Sequence, residues 1–229
     1  MHYLGGKSRI SKHIVPIMES YRLDNQVWVE PFVGGCNTII KVEGDRYAND
    51  IRADLITLWE EATYNGYIPP AKVSEDMYYL VKDNPTAYPA ELRAFVSIGC
   101  SFAAKEWGGY ARDKRGTNFA RNSSRGVVRK TDKMKGVTFS SGSYDTMYIP
   151  PNSLIYCDPP YEGTTGYSNP FNHALFWEWC RDKAREGHTV FISEYNAPSD
   201  FIEVWSKDVK STVQVGKGKL AVERLFKAV

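Results

Sequence analysis

The chain has 229 residues, with 29 Lys and Arg against 27 Asp and Glu, a formal net charge of +2, 42% hydrophobic residues and 24% charged ones. Those proportions exclude a disordered polymer, whose apolar content is too low to offset chain entropy, and a chain this long buries enough surface to hold a core without metal or disulfide. No apolar run approaches the ~20 residues needed to cross a bilayer, and Met1-His2-Tyr3-Leu4-Gly5-Gly6-Lys7 lacks the apolar stretch of a secretory leader.

In chain order, Ile10, Ile14, Ile17 and Met18 predict a helix over Arg9 to Ser20, and Gln26 to Val29 is a short β-prone run. Asn37 onward reads as the opening of a helix stopped near Gly44, followed by a strand at Arg46 to Ala48 and a helix from Ala53 to Tyr64. Ser74 caps a predicted helix through Val81, and Pro89 opens another through Ile98. From Gly99 to about Gly142 the sequence turns glycine-rich, basic and polar, too long for an ordinary connection. Ser153 to Cys157 and Thr189 to Ser193 are buried strand candidates, with a helix between them capped by Asn172 and stopped by Gly187. Ser199 caps a predicted short helix through Trp205, and Val209 to Val215 and Val222 to Phe226 flank Gly216-Lys217-Gly218 in a hairpin pattern. The alternation predicts an α/β fold, with a mostly parallel sheet flanked by helices and a hairpin at one edge.

The small net charge hides an asymmetry. Between Lys105 and Lys135 ten basic residues meet only three acids, so this stretch carries +7 and the remainder −5. A basic block in an acidic body predicts a polyanion-binding surface; a solvated loop is the alternative. Cys36, Cys100, Cys157 and Cys180 lack the spacing of a zinc site, so free thiols in a reducing compartment and no metal are expected.

Three motifs carry chemistry. Asp158-Pro159-Pro160-Tyr161 follows an apolar strand, at the end where open α/β sheets bind ligands. Two prolines remove two N–H donors and stiffen the turn, which with an acid in front and an aromatic behind makes an acceptor notch suited to a planar group bearing an amine. Glu30-Pro31-Phe32-Val33-Gly34-Gly35 joins a strand to the next element, where glycine admits close approach to the backbone. Asp50, at the end of the following strand, stands where an acid takes a ribose diol. The glycines lack the dinucleotide register, which favours a nucleoside without pyrophosphate. The third motif, Tyr3-Leu4-Gly5-Gly6-Lys7, lacks the register of an ATPase phosphate loop.

Taken in order, Tyr-x-Gly-Gly-Lys, Val29 to Gly35, Asn49-Asp50-Ile51 and Asp158-Pro159-Pro160-Tyr161 resemble the Dam-type adenine-specific DNA methyltransferases. Gly99 to Arg112 and Gly187 to Asn196 resemble phage-borne members. One departure stands out: the family's Phe-x-Gly-x-Gly reads Phe32-Val33-Gly34-Gly35-Cys36 here.

The resemblance implies a Rossmann-like methyltransferase fold, with residues 1–64 and 143–229 binding S-adenosylmethionine and residues 65–142 forming a target-recognition insertion. It implies donor contacts from Tyr3, Lys7, Glu30, Phe32, Gly34, Asp50 and Asp158, with Asp50 on the ribose. Asp158 and the Pro159 carbonyl would accept the amino hydrogens of an extruded adenine, beside Pro160, with Tyr161 stacking on the base. Arg112, Lys114, Arg115, Arg121, Arg125, Arg129 and Lys130 would grip double-stranded DNA, while Trp107, Tyr110 and Phe119 either stack on it or pack the insertion. Asp rather than Ser or Asn before Pro-Pro-Tyr points to adenine by the same resemblance. A cytosine-amino or RNA methyltransferase, or a non-catalytic DNA-binding module, are the alternatives. A cytoplasmic enzyme of a bacterial or phage-infected cell is expected, a monomer or weak dimer, with restriction-modification as a setting.

Overall fold

The computed structural model describes residues 1–163, 171–210 and 220–229. Strands β1 (Trp28–Glu30), β2 (Arg46–Asp50), β3 (Val137–Ser141), β4 (Leu154–Cys157), β5 (Thr189–Glu194), β6 (Ile202–Lys210) and β7 (Leu220–Lys227) form one sheet in the order β3-β2-β1-β4-β5-β7-β6. The first five pair in parallel, and β7 runs antiparallel between β5 and β6. This is the mostly parallel α/β sheet with a C-terminal hairpin that the sequence predicts. The strands β1 and β4 are buried along their whole length, as expected where helices cover both sheet faces.

Alternation along the strands divides the core in two. Trp28, Leu154, Tyr156 and Phe191 face one apolar cluster, while Val29, Ile155, Cys157, Val190 and Ile192 face the other. The first cluster also takes in residues of α1 (Ser11–Glu19), α2 (Ala53–Tyr64), α3 (Glu75–Asp83) and α4 (Ala90–Ala94), the last continuing as a wider turn over Phe95–Gly99. Helix α5 (Phe119–Met134) contributes Val127 and Met134 to it, and α6 (His173–Arg185) packs Phe176, Trp177 and Cys180 on the other side. The caps fall where polar residues predict them: Ser74 Oγ accepts from Met77 N at 3.1 Å, and Asn172 Oδ1 accepts from Leu175 N at 3.1 Å.

Three expectations are corrected. The helix expected from Asn37 is a single turn, Ile39–Lys41, ending at an extended Val42; the β-branched run Thr38, Ile39, Ile40 and Val42 is poorly suited to prolonging it. The helix expected from Ser199 is instead β6, whose ladder with β7 outweighs a local capping signal. The insertion boundary expected at 142 falls after a strand of the sheet: β3 pairs with β2 from Arg46↔Val137 to Asp50↔Ser141. Arg46 fixes that return by donating to the carbonyls of Lys133 and Lys135, each at 2.7 Å. The hairpin is present as β6 and β7, and Gly216-Lys217-Gly218 lies outside the described residues.

Candidate active site

Neighbouring parallel strands deliver three carboxylates to one end of the sheet. Glu30 closes β1, Asp50 closes β2, and Asp158 directly follows β4. Glu30 is 2% exposed and accepts from Trp28 Nε1 at 2.9 Å; burial pushes its pKa up to about 8, with the Asp158 charge adding to the push against that bond. The Asp50 carboxylate accepts from the backbone N–H groups of Gly34 and Arg52, at 2.9 and 3.0 Å. Burial raises its pKa, against the pull of those two bonds. One side chain thereby fixes the turn after β1 and the entry to α2.

Asp158 meets the N-terminal motif. Lys7 Nζ lies 2.6 Å from Asp158 Oδ1 and donates to the Gly5 carbonyl at 3.1 Å. The same nitrogen stands 4.4 Å from the centroid of the Tyr161 ring. Burial pushes Asp158 up to about 6 despite the ammonium, whereas for Lys7 burial is outweighed by Asp158 and Glu223, so its pKa rises. Lys7 is thus placed in direct contact with the acid and the aromatic of the Asp-Pro-Pro-Tyr turn.

The glycine turn serves a different neighbour from the one expected. A side chain added at Gly34 would meet the Tyr3 ring at 2.8 Å and one added at Gly35 the Tyr3 Cβ at 2.8 Å, so it is Tyr3 that needs the bare backbone. Gly34 has φ +45 and its carbonyl accepts from Trp59 Nε1 at 2.9 Å. Cys36, at the position of the last glycine in Phe-x-Gly-x-Gly, is fully buried and adopts a left-handed backbone at φ 51, a conformation that glycine takes without strain. Phe32 packs against Tyr144, Phe171 and Phe176, with centroids 5.3, 5.9 and 5.8 Å away.

The basic segment is a loop followed by a helix. Arg112, Lys114 and Arg115 are exposed around a turn in which Asp113 accepts from the N–H groups of Arg115 and Thr117. Arg121, Arg125, Arg129 and Lys133 recur every fourth residue of α5, about 6 Å of rise apart, and form one exposed stripe. Lys130 departs from the expected DNA-facing set. It is 9% exposed on the opposite side of α5, donating to the Gly35 carbonyl and to Asn37 Oδ1 at 2.8 Å, over the Trp59 ring. Trp107 and Tyr110 pack on Tyr78, with centroids 5.4 and 5.9 Å away, and Tyr110 Oη donates to the Val73 carbonyl; Phe119 is half-buried at the start of α5.

Residues 3–94, which hold Tyr3, Lys7, Glu30, Phe32, Gly34 and Asp50, match the D12 class N6 adenine-specific DNA methyltransferases. That match spans about two-fifths of the chain. The retron Ec67 DNA adenine methylase of Escherichia coli is 27% identical over 197 residues, covering 72% of this chain and 67% of its own. Among solved structures, SMU.472 in complex with SAH is similar over 97% of this chain and 53% of its own, at 12% identity and TM-score 0.36. HI0767 of Haemophilus influenzae, described as a methylase, is similar over 96% of this chain and 89% of its own, at 8% identity and TM-score 0.37.

The site also contains residues that no motif announces. Glu223 Oε2 on β7 accepts from Tyr161 Oη at 2.8 Å, and the Tyr195 and Tyr161 rings pack at right angles with centroids 4.7 Å apart. Glu194, 2% exposed at the end of β5, accepts from Tyr195 N at 2.7 Å and Glu162 N at 3.1 Å, and burial pushes its pKa up to about 7. Lone acids in C-terminal strands give no sequence signal; only strand order brings them beside Asp158. Among the described residues no helix is long and apolar enough to cross a membrane.

Proposed function

We propose that the protein moves a methyl group from S-adenosylmethionine to the exocyclic amino group of an adenine extruded from duplex DNA. The observation that carries this reading is the position of Lys7 Nζ, a nitrogen donor 2.6 Å from the Asp158 carboxylate and 4.4 Å from the centre of the Tyr161 ring. That ammonium stands in for an amine: an N–H donor held by a carboxylate beside an aromatic ring is what an extruded base with an exocyclic amino group requires. On this reading Lys7 leaves Asp158 when the base enters, and one N–H donor replaces another.

S-adenosylmethionine supplies, when bound, a methyl group on a positively charged sulfur. On this reading Asp50 takes the ribose diol, the Asp158 carboxylate supplies negative charge beside the cation, and Glu30 lines the pocket as a buried, protonated acid. Tyr3, Phe32 and Gly34 complete the wall expected around it. Asp158 and the Pro159 carbonyl orient the amine by accepting its hydrogens, and positioning by fixed acceptors accounts for most of the acceleration. As the nitrogen gains its methyl group it sheds a proton, and the Asp158 carboxylate, made more basic by burial, is the acceptor at hand. The exposed stripe on α5 and the Arg112 to Arg115 turn grip phosphates. The four free thiols support a reducing, cytoplasmic setting.

Incubation of duplex DNA with methyl-labelled S-adenosylmethionine, followed by digestion to nucleosides, tests the reading. Label in N6-methyladenine supports it, label in methylcytosine moves the acceptor to cytosine, and no labelled nucleoside overturns it.

A further inference from the structure

We propose that Glu223 is a positioning residue for methyl transfer, acting through the Tyr161 hydroxyl. The inference rests on the function proposed above and extends it to the last strand, far outside the residues matched to the family. Tyr161 is the aromatic of the Asp-Pro-Pro-Tyr turn, and its hydroxyl donates to Glu223 Oε2 at 2.8 Å. Burial, then the Asp158 and Glu223 charges, raise the phenol's pKa, so it remains the protonated donor of that bond.

Glu223 is itself well placed for such a task. The ladders Glu194↔Arg224 and Lys207↔Glu223 fix it between two neighbouring strands, and it shares with Leu225 the sheet face that buries Tyr156. The Tyr195 and Tyr161 rings meet at right angles with centroids 4.7 Å apart, and Arg224 donates to the Tyr195 carbonyl. An aromatic that must present a flat face to a mobile base is thus held by a neighbouring ring and at its hydroxyl. A hydrogen bond to a carboxylate also pushes electron density into the ring, strengthening its attraction for a cationic or N–H-bearing group such as the ammonium now over it.

The test uses the full-length protein, unmethylated plasmid DNA and tritiated S-adenosylmethionine. Glu223→Ala is expected to lower kcat about tenfold to a hundredfold, with the KM and calorimetric Kd for the donor within about twofold of wild type. Glu223→Gln, which keeps an acceptor for the hydroxyl, recovers most of the lost kcat. In a Tyr161→Phe background, Glu223→Ala adds no further loss, because the hydroxyl through which it acts is already gone. Three results overturn the proposal: unchanged kcat in Glu223→Ala, fully additive losses in the double variant, or parallel falls in donor affinity, melting temperature and kcat that Gln does not rescue. Absence of N6-methyladenine with the wild-type protein instead rejects the function on which the proposal rests, so the two failures are distinct.

Discussion

Lys7 and Asp158 form the closest ion pair at the proposed acceptor notch, Nζ to Oδ1 2.6 Å, with Lys7 7% exposed. Truncating either partner leaves the other a buried charge, which is costly. Asp158→Ala is therefore expected to cut methyl transfer by on the order of 10²- to 10⁴-fold, the range seen when a positioned polar or acid-base group is lost. DNA affinity, measured by fluorescence anisotropy, should change little. Turnover near the wild-type rate removes Asp158 from the acceptor role.

The raised pKa of Asp158 sets an acid limit. Its carboxylate form accepts the amine, so kcat/KM should decline as pH falls through about 6. Lys7 opposes the rise, so Lys7→Met should shift the acid limb to higher pH. A pH profile of methyl incorporation for the two proteins reads this directly, and coincident limbs reject the coupling.

Glu30 makes the opposite link, to stability. Its folded-state pKa, about 8, lies above the unfolded value of 4.5. The native state therefore holds a proton that the unfolded chain releases, and stability declines as pH rises from about 4.5 through 8. Glu30→Gln keeps an acceptor for Trp28 Nε1 and removes the charge, so the decline should flatten, by on the order of a few kcal/mol at pH 8. Urea unfolding at pH 5 and pH 8 measures it, and identical pH dependence in the two proteins refutes the assignment.

Asp50 holds Gly34 N and Arg52 N. Asp50→Asn keeps one amide oxygen in place and loses the charge. The donor's Kd should rise about tenfold to a hundredfold, the worth of a hydrogen bond to a charged group. Calorimetric titration with S-adenosylmethionine decides, and unaltered binding rejects the ribose assignment.

The stripe on α5 should report through salt. Arg121→Ala combined with Arg129→Ala is expected to weaken DNA binding and reduce the log–log salt slope by roughly 0.9 per lost phosphate contact. Lys130→Met, on the buried side, should leave the slope alone and lower the melting temperature. A slope that responds to Lys130 and not to the arginines would exchange their roles.

Four of the five parallel strands, the Ser74 and Asn172 caps and the three strand-end acids are legible in the sequence, because short apolar runs, capping side chains and residues at strand ends are local signals, whereas β3 is hidden at the end of the basic stretch. The basic segment is less legible. Its charge disguises α5, whose inner face uses Ala120, Ser123 and Ser124 as well as Val127 and Met134, small and polar residues that weaken an apolar stripe. Lys130 is misplaced for the same reason: charge alone places lysine outward, and only the fold provides the Gly35 carbonyl and Trp59 that make burial tolerable. β6 answers to its partner strand, and Glu194 and Glu223 to strand order, neither of which is written within a few residues.

Lys130 has a consequence for how the molecule responds to its surroundings. One rigid rod carries guanidinium groups along its outer side and, from its inner side, grasps the backbone of the turn that follows β1. A tilt of that rod cannot leave the turn where it was. Lys130 is one tie through which a displacement of the rod is expected to reach the turn, and by reciprocity a ligand that stiffens the turn is expected to stiffen the rod.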